Sequence, residues 1–238
     1  MAKAYAHWKV LPHEPIEKLA DQIWRVEGSL PGMALKRVMA IGKRSDGRLV
    51  IHNGIALEED AMKEIETWGD PALIVVPNKY HRLDAKVFKD RYPEADVVCP
   101  AGCRKQVEEV VPVDRDYDDP AVQNEAVELH HLGGIAESEG YMLVRGDDGA
   151  TLVLNDALFN TPHQPGVIGW ALRNITDSTG GPRVSRLFKW LAVKDKAALR
   201  ASFEKLAATP DLQRIIVAHH ETIAKDPAGV LRDVAAKL

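Results

Sequence analysis

Ala72-Leu-Ile-Val-Val-Pro-Asn-Lys-Tyr-His-Arg-Leu-Asp84 reads as a buried strand that stops at Pro77 and opens into a polar loop carrying Asn78, His81 and Asp84. Proline cannot donate to a sheet ladder, so it closes the strand. The device recurs near the C-terminus in Arg214-Ile-Ile-Val-Ala-His-His220. A third run, Thr151-Leu-Val-Leu154, delivers Asn155 and Asp156. Three strand ends that present His or Asp predict one active-site edge of a layered α/β protein, because loops at strand ends are where sites concentrate.

Outward from these runs, the chain alternates strands and helices. The first ~22 residues, with Pro12 and Pro15, read as a lead-in. Arg37–Lys43 and Arg48–His52 pair across Ser45-Asp46-Gly47, a hairpin signal in which Gly supplies positive φ cheaply. Helices are expected over Glu58–Trp68, Ala85–Arg91 and Arg104–Glu109, with a strand at Ala95–Cys99 between the last two. Asp114–Pro120 is charged and turn-rich and marks a midpoint. The second half restarts with strands at Ala126–Leu129, Tyr141–Arg145 and Thr151–Leu154, then helices at Val184–Ala192, Lys196–Ala208 and Ala228–Leu238. Phe159–Gly181 is too long for a simple turn and reads as a functional or capping excursion. Residues 1–238 are thus expected to form one domain of two halves, about 20–115 and 121–238. The hairpins argue for mixed sheets rather than an all-parallel one.

Composition excludes several classes. A hydrophobic content of 45% supports a real core, while 28% charged residues, mixed in sign to a net −4, leave no clustered basic face for nucleic acid. No apolar run approaches the roughly 18 residues that span a bilayer, so no membrane partner is expected. The N-terminus lacks the apolar core of a secretory signal, which points to the cytoplasm. Cys99 and Cys103 are too few for a disulfide framework, and their spacing is not that of a zinc ribbon. No Gly-x-Ser-x-Gly is present, so a serine-hydrolase elbow is unsupported. Oligomeric state is not legible.

With its strand order and strand-end residues in hand, the chain resembles the metallo-β-lactamase fold superfamily. Pro77-Asn-Lys-Tyr-His81, followed by Arg91-Tyr-Pro-Glu-Ala95, is similar to an uncharacterised branch that has departed from the standard metal motif. The resemblance covers roughly residues 20–235 and implies an α/β fold, a four-layer αββα sandwich of two mixed sheets with a metal site at one edge. The superfamily's loop, H-x-H-x-D-H, falls here on Asn78, Tyr80, Arg82 and Leu83, none a standard zinc ligand. The next ligand position falls on Gly134, although Ser138 keeps the small polar residue and His130 and His131 lie upstream. Two positions match: Asp156, the bridging aspartate, and His219, the terminal histidine ligand.

Two functional readings follow. In the first, the chain is a divergent metal-dependent hydrolase acting on an ester, thioester or similar bond. Asp156, His219 and His81 then hold one divalent transition metal (zinc, manganese or iron), with Asp156 and His81 catalytic. In the second, no metal binds and the same cleft takes a small molecule or a partner without chemistry. Asn78, Asp84, His131 and His163 are the candidate pocket residues in either case, and a small-molecule ligand is expected. The bland alternatives are that Asp84 caps the helix after it, that Asp156 and His219 only hydrogen-bond each other, and that His163 is a solvated loop residue. Arg183, Arg186 and Lys189 form a basic stripe that suits either an anionic ligand or a solvated helix face.

Overall fold

The structure is a computed structural model and describes residues 4–163 and 165–238. The first half supplies β1 (Glu17–Ala20), β2 (Ile23–Leu30), β3 (Met33–Lys43), β4 (Leu49–His52), α1 (Glu59–Trp68), β5 (Pro71–Val75), α2 (Ala85–Arg91), β6 (Asp96–Cys99), α3 (Arg104–Val107) and β7 (Arg115–Asp116). Its seven strands form one sheet in chain order. The pairs from β1 to β4 are antiparallel and those from β4 to β7 parallel, so the sheet is mixed.

The second half supplies β8 (Val127–His131), β9 (Gly140–Gly146), β10 (Gly149–Leu154), β11 (Phe159–Thr161), α4 (Gly166–Asn174), β12 (Gly181–Arg183), α5 (Arg186–Leu191), α6 (Lys196–Ala207), β13 (Leu212–Val217) and α7 (Pro227–Ala236). Four of its strands form a second sheet in the order β13-β10-β9-β8, and β11 pairs with β12 apart from it. β13 runs parallel to β10 while the other pairs are antiparallel, so this sheet is mixed as well.

Alternation along the strands builds the layers. Leu49 and Ile51 face a core shared with Met62, Ile65 and Phe88 of the first helices. Val50 between them faces the other way, into a second core with Val127, Met142 and Val153 of the second sheet. Leu152 and Leu154 in turn face Leu199, Phe203 and Leu231 of the last helices. Both sheets are therefore covered on both faces, which is why these strands read as unbroken apolar runs. The layers are helix, sheet, sheet, helix, as the resemblance implied.

The differences are local. The lead-in holds a strand, β1, which escaped notice because Glu17-Lys-Leu-Ala20 is a short edge with exposed or half-buried side chains. Phe159–Gly181 contains β11, α4 and the start of β12 rather than an irregular loop. No helix among the described residues is long and apolar enough to cross a membrane.

One feature of β3 positions the site. Only Ala40–Lys43 pair with β4, so the first half of this long strand overhangs it. The overhang meets the other sheet: Val38 N–H donates to Ala218 O at 2.8 Å, and Lys36 N–H to His220 Nε2 at 3.4 Å. A backbone seam thus joins the two sheets at the edge where the strands empty.

Candidate metal centre

β10 and β13 are parallel neighbours with Leu154 opposite Val217. Asp156 and His219 each stand two residues beyond that pair, so the register delivers them side by side. His81 comes from the other sheet. Asn78 Oδ1 accepts from the backbone N–H of Tyr80 (2.8 Å) and of His81 (3.1 Å). This side-chain-closed turn swings His81 over the strand ends.

The three side chains converge. His81 Nε2 and His219 Nε2 each lie 3.2 Å from the same oxygen, Asp156 Oδ1. The two rings are 5.2 Å apart and tilted by 46°, and Phe159 stacks on His219 at 5.5 Å. The second carboxylate oxygen, Oδ2, accepts from Asn78 Nδ2 at 3.0 Å. That amide also donates to Glu139 Oε2 at 2.9 Å, and Glu139 Oε1 accepts from Ala157 N–H at 2.8 Å.

The hydrogen-bond logic at His219 is informative. Its Nδ1 lies 2.6 Å from the carbonyl oxygen of Lys36. A carbonyl only accepts, so Nδ1 carries the proton. In the neutral ring, Nε2 is then a bare lone pair aimed at a carboxylate oxygen, acceptor against acceptor. Either a second ring proton or a cation between them resolves the conflict. A histidine whose other nitrogen donates to a backbone carbonyl is the usual support of a metal ligand.

The donor set fits a metal ion. One atom each from His81, Asp156 and His219 lie within 4.8 Å of one another. At tetrahedral bond lengths near 2.1 Å, donor atoms sit about 3.4 Å apart, close to the 3.2 Å between each imidazole and the carboxylate. Two nitrogens and one oxygen leave a fourth position for water or substrate, as in catalytic rather than structural zinc sites.

Electrostatics separates the half-buried Asp156 from the buried Glu139. Burial would raise the Asp156 carboxyl, but the imidazoles of His81 and His219 outweigh it and hold Asp156 below the usual carboxylate range. Glu139 is pushed well above that range by burial and by the Asp156 charge nearby. The two neighbouring acids are thus pushed in opposite directions. His52, which closes β4, is held at about 3 by burial and the adjacent His81.

The site opens into a cleft of about 270 Å³ walled by Leu30, Met33 and Leu35 of the β2–β3 hairpin and by Arg37, Lys79 and Tyr80. A larger, shallow groove of about 710 Å³ lies between α6 and α7, with Arg200, Glu204 and Arg232. It holds none of the residues discussed above.

Of the candidate residues, His81, Asp156, His219 and Asn78 meet here. Asp84 stands at the N-cap position of α2 but makes no capping hydrogen bond. It forms a buried ion pair with Arg37 instead, and burial pushes its carboxyl up against the pull of that guanidinium. His131 does not line the cleft: it ends β8, its ring lies 5.4 Å from Tyr117 and its Nε2 3.5 Å from Asp118. His163 is exposed, with Nδ1 3.1 Å from Thr179 Oγ1, and also lies outside the cleft. Cys99 and Cys103 are free thiols buried in the first core. Glu139, Arg37 and the Lys36 carbonyl were missed. Only Glu139 left a trace, as the acid directly ahead of Gly140-Tyr-Met-Leu-Val144.

No protein-family model and no curated protein matches the chain. Solved structures do. A metallo-β-lactamase from Erythrobacter litoralis, with β-mercaptoethanol in its active site, superposes with a TM-score of 0.63 at 14% identity, covering 94% of this chain and 96% of that one. The metallo-β-lactamase FIM-1 from Pseudomonas aeruginosa in its mono-zinc form gives 0.61 at 12% identity, over 96% and 97% of the two chains. A metallo-β-lactamase from Pontibacter korlensis gives 0.59 at 11% identity, over 95% and 100%. Together with the paired mixed sheets and their flanking helices, these superpositions show that the chain has the metallo-β-lactamase fold.

Proposed function

We propose that the chain is a divergent hydrolase whose metal site is reduced to one ion held by Asp156, His219 and His81. The observation that carries this reading is the meeting of two imidazole nitrogens on one carboxylate oxygen, with the His219 proton already committed to the Lys36 carbonyl. A divalent transition metal held there, zinc, manganese or iron, supplies Lewis acidity and activates water near neutral pH. The chain's own residues prepare the ground. The Lys36 carbonyl fixes the His219 ring, and Asn78 ties down the outer oxygen of Asp156. The wall of Leu30, Met33 and Leu35 excludes water from a bound ester, thioester or similar group. Asp156 and His81, which line that cleft, are assigned the catalytic role.

Metal content of protein purified without an affinity tag tests the reading. We expect close to one transition-metal ion per chain, lost in the Asp156→Ala/His219→Ala double variant. Metal-free protein whose melting temperature is unmoved by zinc, manganese or iron would falsify it. A second reading, a metal-free ligand-binding protein, is favoured by one observation: Asn78, Tyr80, Arg82 and Leu83 stand where the fold's usual ligands would be. A thermal-shift screen against small metabolites tests that alternative, and a hit on the metal-free double variant supports it.

A further inference from the structure

Six of the large hydrophobic side chains exposed among the described residues fall between Val167 and Leu191, while the other two, Met33 and Tyr80, line the mouth of the cleft. On α4, Val167 and Trp170 stand 84% and 61% exposed. On α5, Phe188 turns inward to the core and leaves Leu187, Trp190 and Leu191 outward, Trp190 by 83%. The two helices are tied end to end. Arg186 N–H donates to Thr176 O at 2.8 Å, and its guanidinium to the carbonyls of Asn174 and Ile175 at 3.0 and 3.3 Å.

The charge of this segment opposes that of the chain. Residues 166–194 hold Arg173, Arg183, Arg186, Lys189 and Lys194 against a single acid, Asp177, in a protein of net charge −4. Asp177 is taken by Arg183 at 2.6 Å. Among the described residues, no carboxylate lies within ion-pair distance of the other four. Exposed tryptophan and branched aliphatics set among unpaired cations are the composition of a surface that lies in a headgroup layer. The rings reach the acyl boundary and the cations meet lipid phosphates. A protein–protein interface instead depletes lysine at its apolar centre, whereas here Lys189 adjoins Trp190 in the chain.

We infer that the face formed by α4 and α5 docks on an anionic phospholipid surface. This departs from the expectation of no membrane partner, which rested on the lack of a spanning segment. The inference stands apart from the metal reading. The face is continuous in chain with β11, whose Phe159 stacks on His219, so docking would bring the bilayer to the segment that borders the site.

Co-sedimentation of the full chain with vesicles tests the inference, using phosphatidylcholine alone and phosphatidylcholine mixed with phosphatidylglycerol. Binding to the mixed vesicles is expected to exceed that to the neutral ones by at least about tenfold, and to fall with salt. The Trp170→Ser/Trp190→Ser variant is expected to lose at least about tenfold in binding, and Arg173→Glu/Arg186→Glu to lose the preference for phosphatidylglycerol. Should the tryptophan variant not fold, quenching of wild-type tryptophan fluorescence by brominated lipid decides the matter. Of the other three tryptophans, Trp24 and Trp68 are stacked on each other and Trp8 packs on Phe88, all against the first core, out of reach of the quencher. Absence of binding, equal binding to both vesicles, or a dimer dissolved by the tryptophan substitutions without any vesicle binding would overturn the proposal. The last outcome would assign the face to a second copy of the chain.

Discussion

Acidification from pH 6.5 to pH 5 is expected to remove about 2 kcal/mol of stability through His52 alone. His52 is 1% exposed, and its Nε2 has no hydrogen-bond partner among the described residues. Burial, helped by the neighbouring His81, holds its pKa at about 3 against 6.5 for a free imidazole. The folded ring therefore stays neutral while the unfolded chain takes up a proton below pH 6.5. A folded pKa below the unfolded one means that the contribution is fully present above 6.5 and is lost as the pH falls toward 3. Inside that window each pH unit costs about 1.4 kcal/mol. Urea unfolding of the wild type and of His52→Leu at pH 7 and pH 5 isolates the effect, because leucine fills similar space and binds no proton. Asp156 and Glu139 titrate in both proteins, so their contributions cancel in the difference. We expect the wild type to lose about 2 kcal/mol more than the variant. Equal losses would refute the claim that His52 is held neutral.

Three further outcomes follow from contacts described above. Arg37→Met strands the Asp84 carboxylate in the interior and is expected to cost about 3–5 kcal/mol in urea unfolding. Arg37→Met/Asp84→Leu should recover most of it, and a loss below about 1 kcal/mol in the single variant would show the pair to be dispensable. Gly54→Ala places a methyl group 2.9 Å from the Phe88 ring. The expected cost is about 1–3 kcal/mol, partly restored by Phe88→Leu; a neutral result would mean that the ring yields freely. Asn78→Leu leaves the outer oxygen of Asp156 untethered. Chelator competition should then show metal affinity reduced by about 10–100-fold, and unchanged affinity would remove Asn78 from the site.

Much of this architecture could be read along the chain because the cause was local. Leu49–Ile51, Ala72–Val76 and Ile215–Ala218 are apolar without interruption since each is covered on both faces, and that signal needs no partner to be seen. Asp156 and His219 could be picked out because a strand end announces itself in sequence. Contacts across the fold could not. Asp84 reads as a helix cap because capping is a matter of a few residues, yet its partner Arg37 lies 47 positions away. The support from Lys36 is a backbone carbonyl, which has no residue signature at all. His131 is a candidate because it lies just upstream of the Gly134 ligand position, and His163 because it lies in the long Phe159–Gly181 excursion. A ring that faces Tyr117 and one that meets Thr179 look no different in sequence from a ring that faces the cleft.

The seam on β3 sets an order of events. Lys36 belongs to the seven-stranded sheet and His219 follows the four-stranded one, so the imidazole is aimed only once these two slabs have closed on each other. Neither slab alone owns a complete set of donors. Ion capture therefore reports on the finished sandwich, and a chain stalled with one slab folded would present either His81 by itself or the Asp156–His219 pair without its third donor to the surrounding solution.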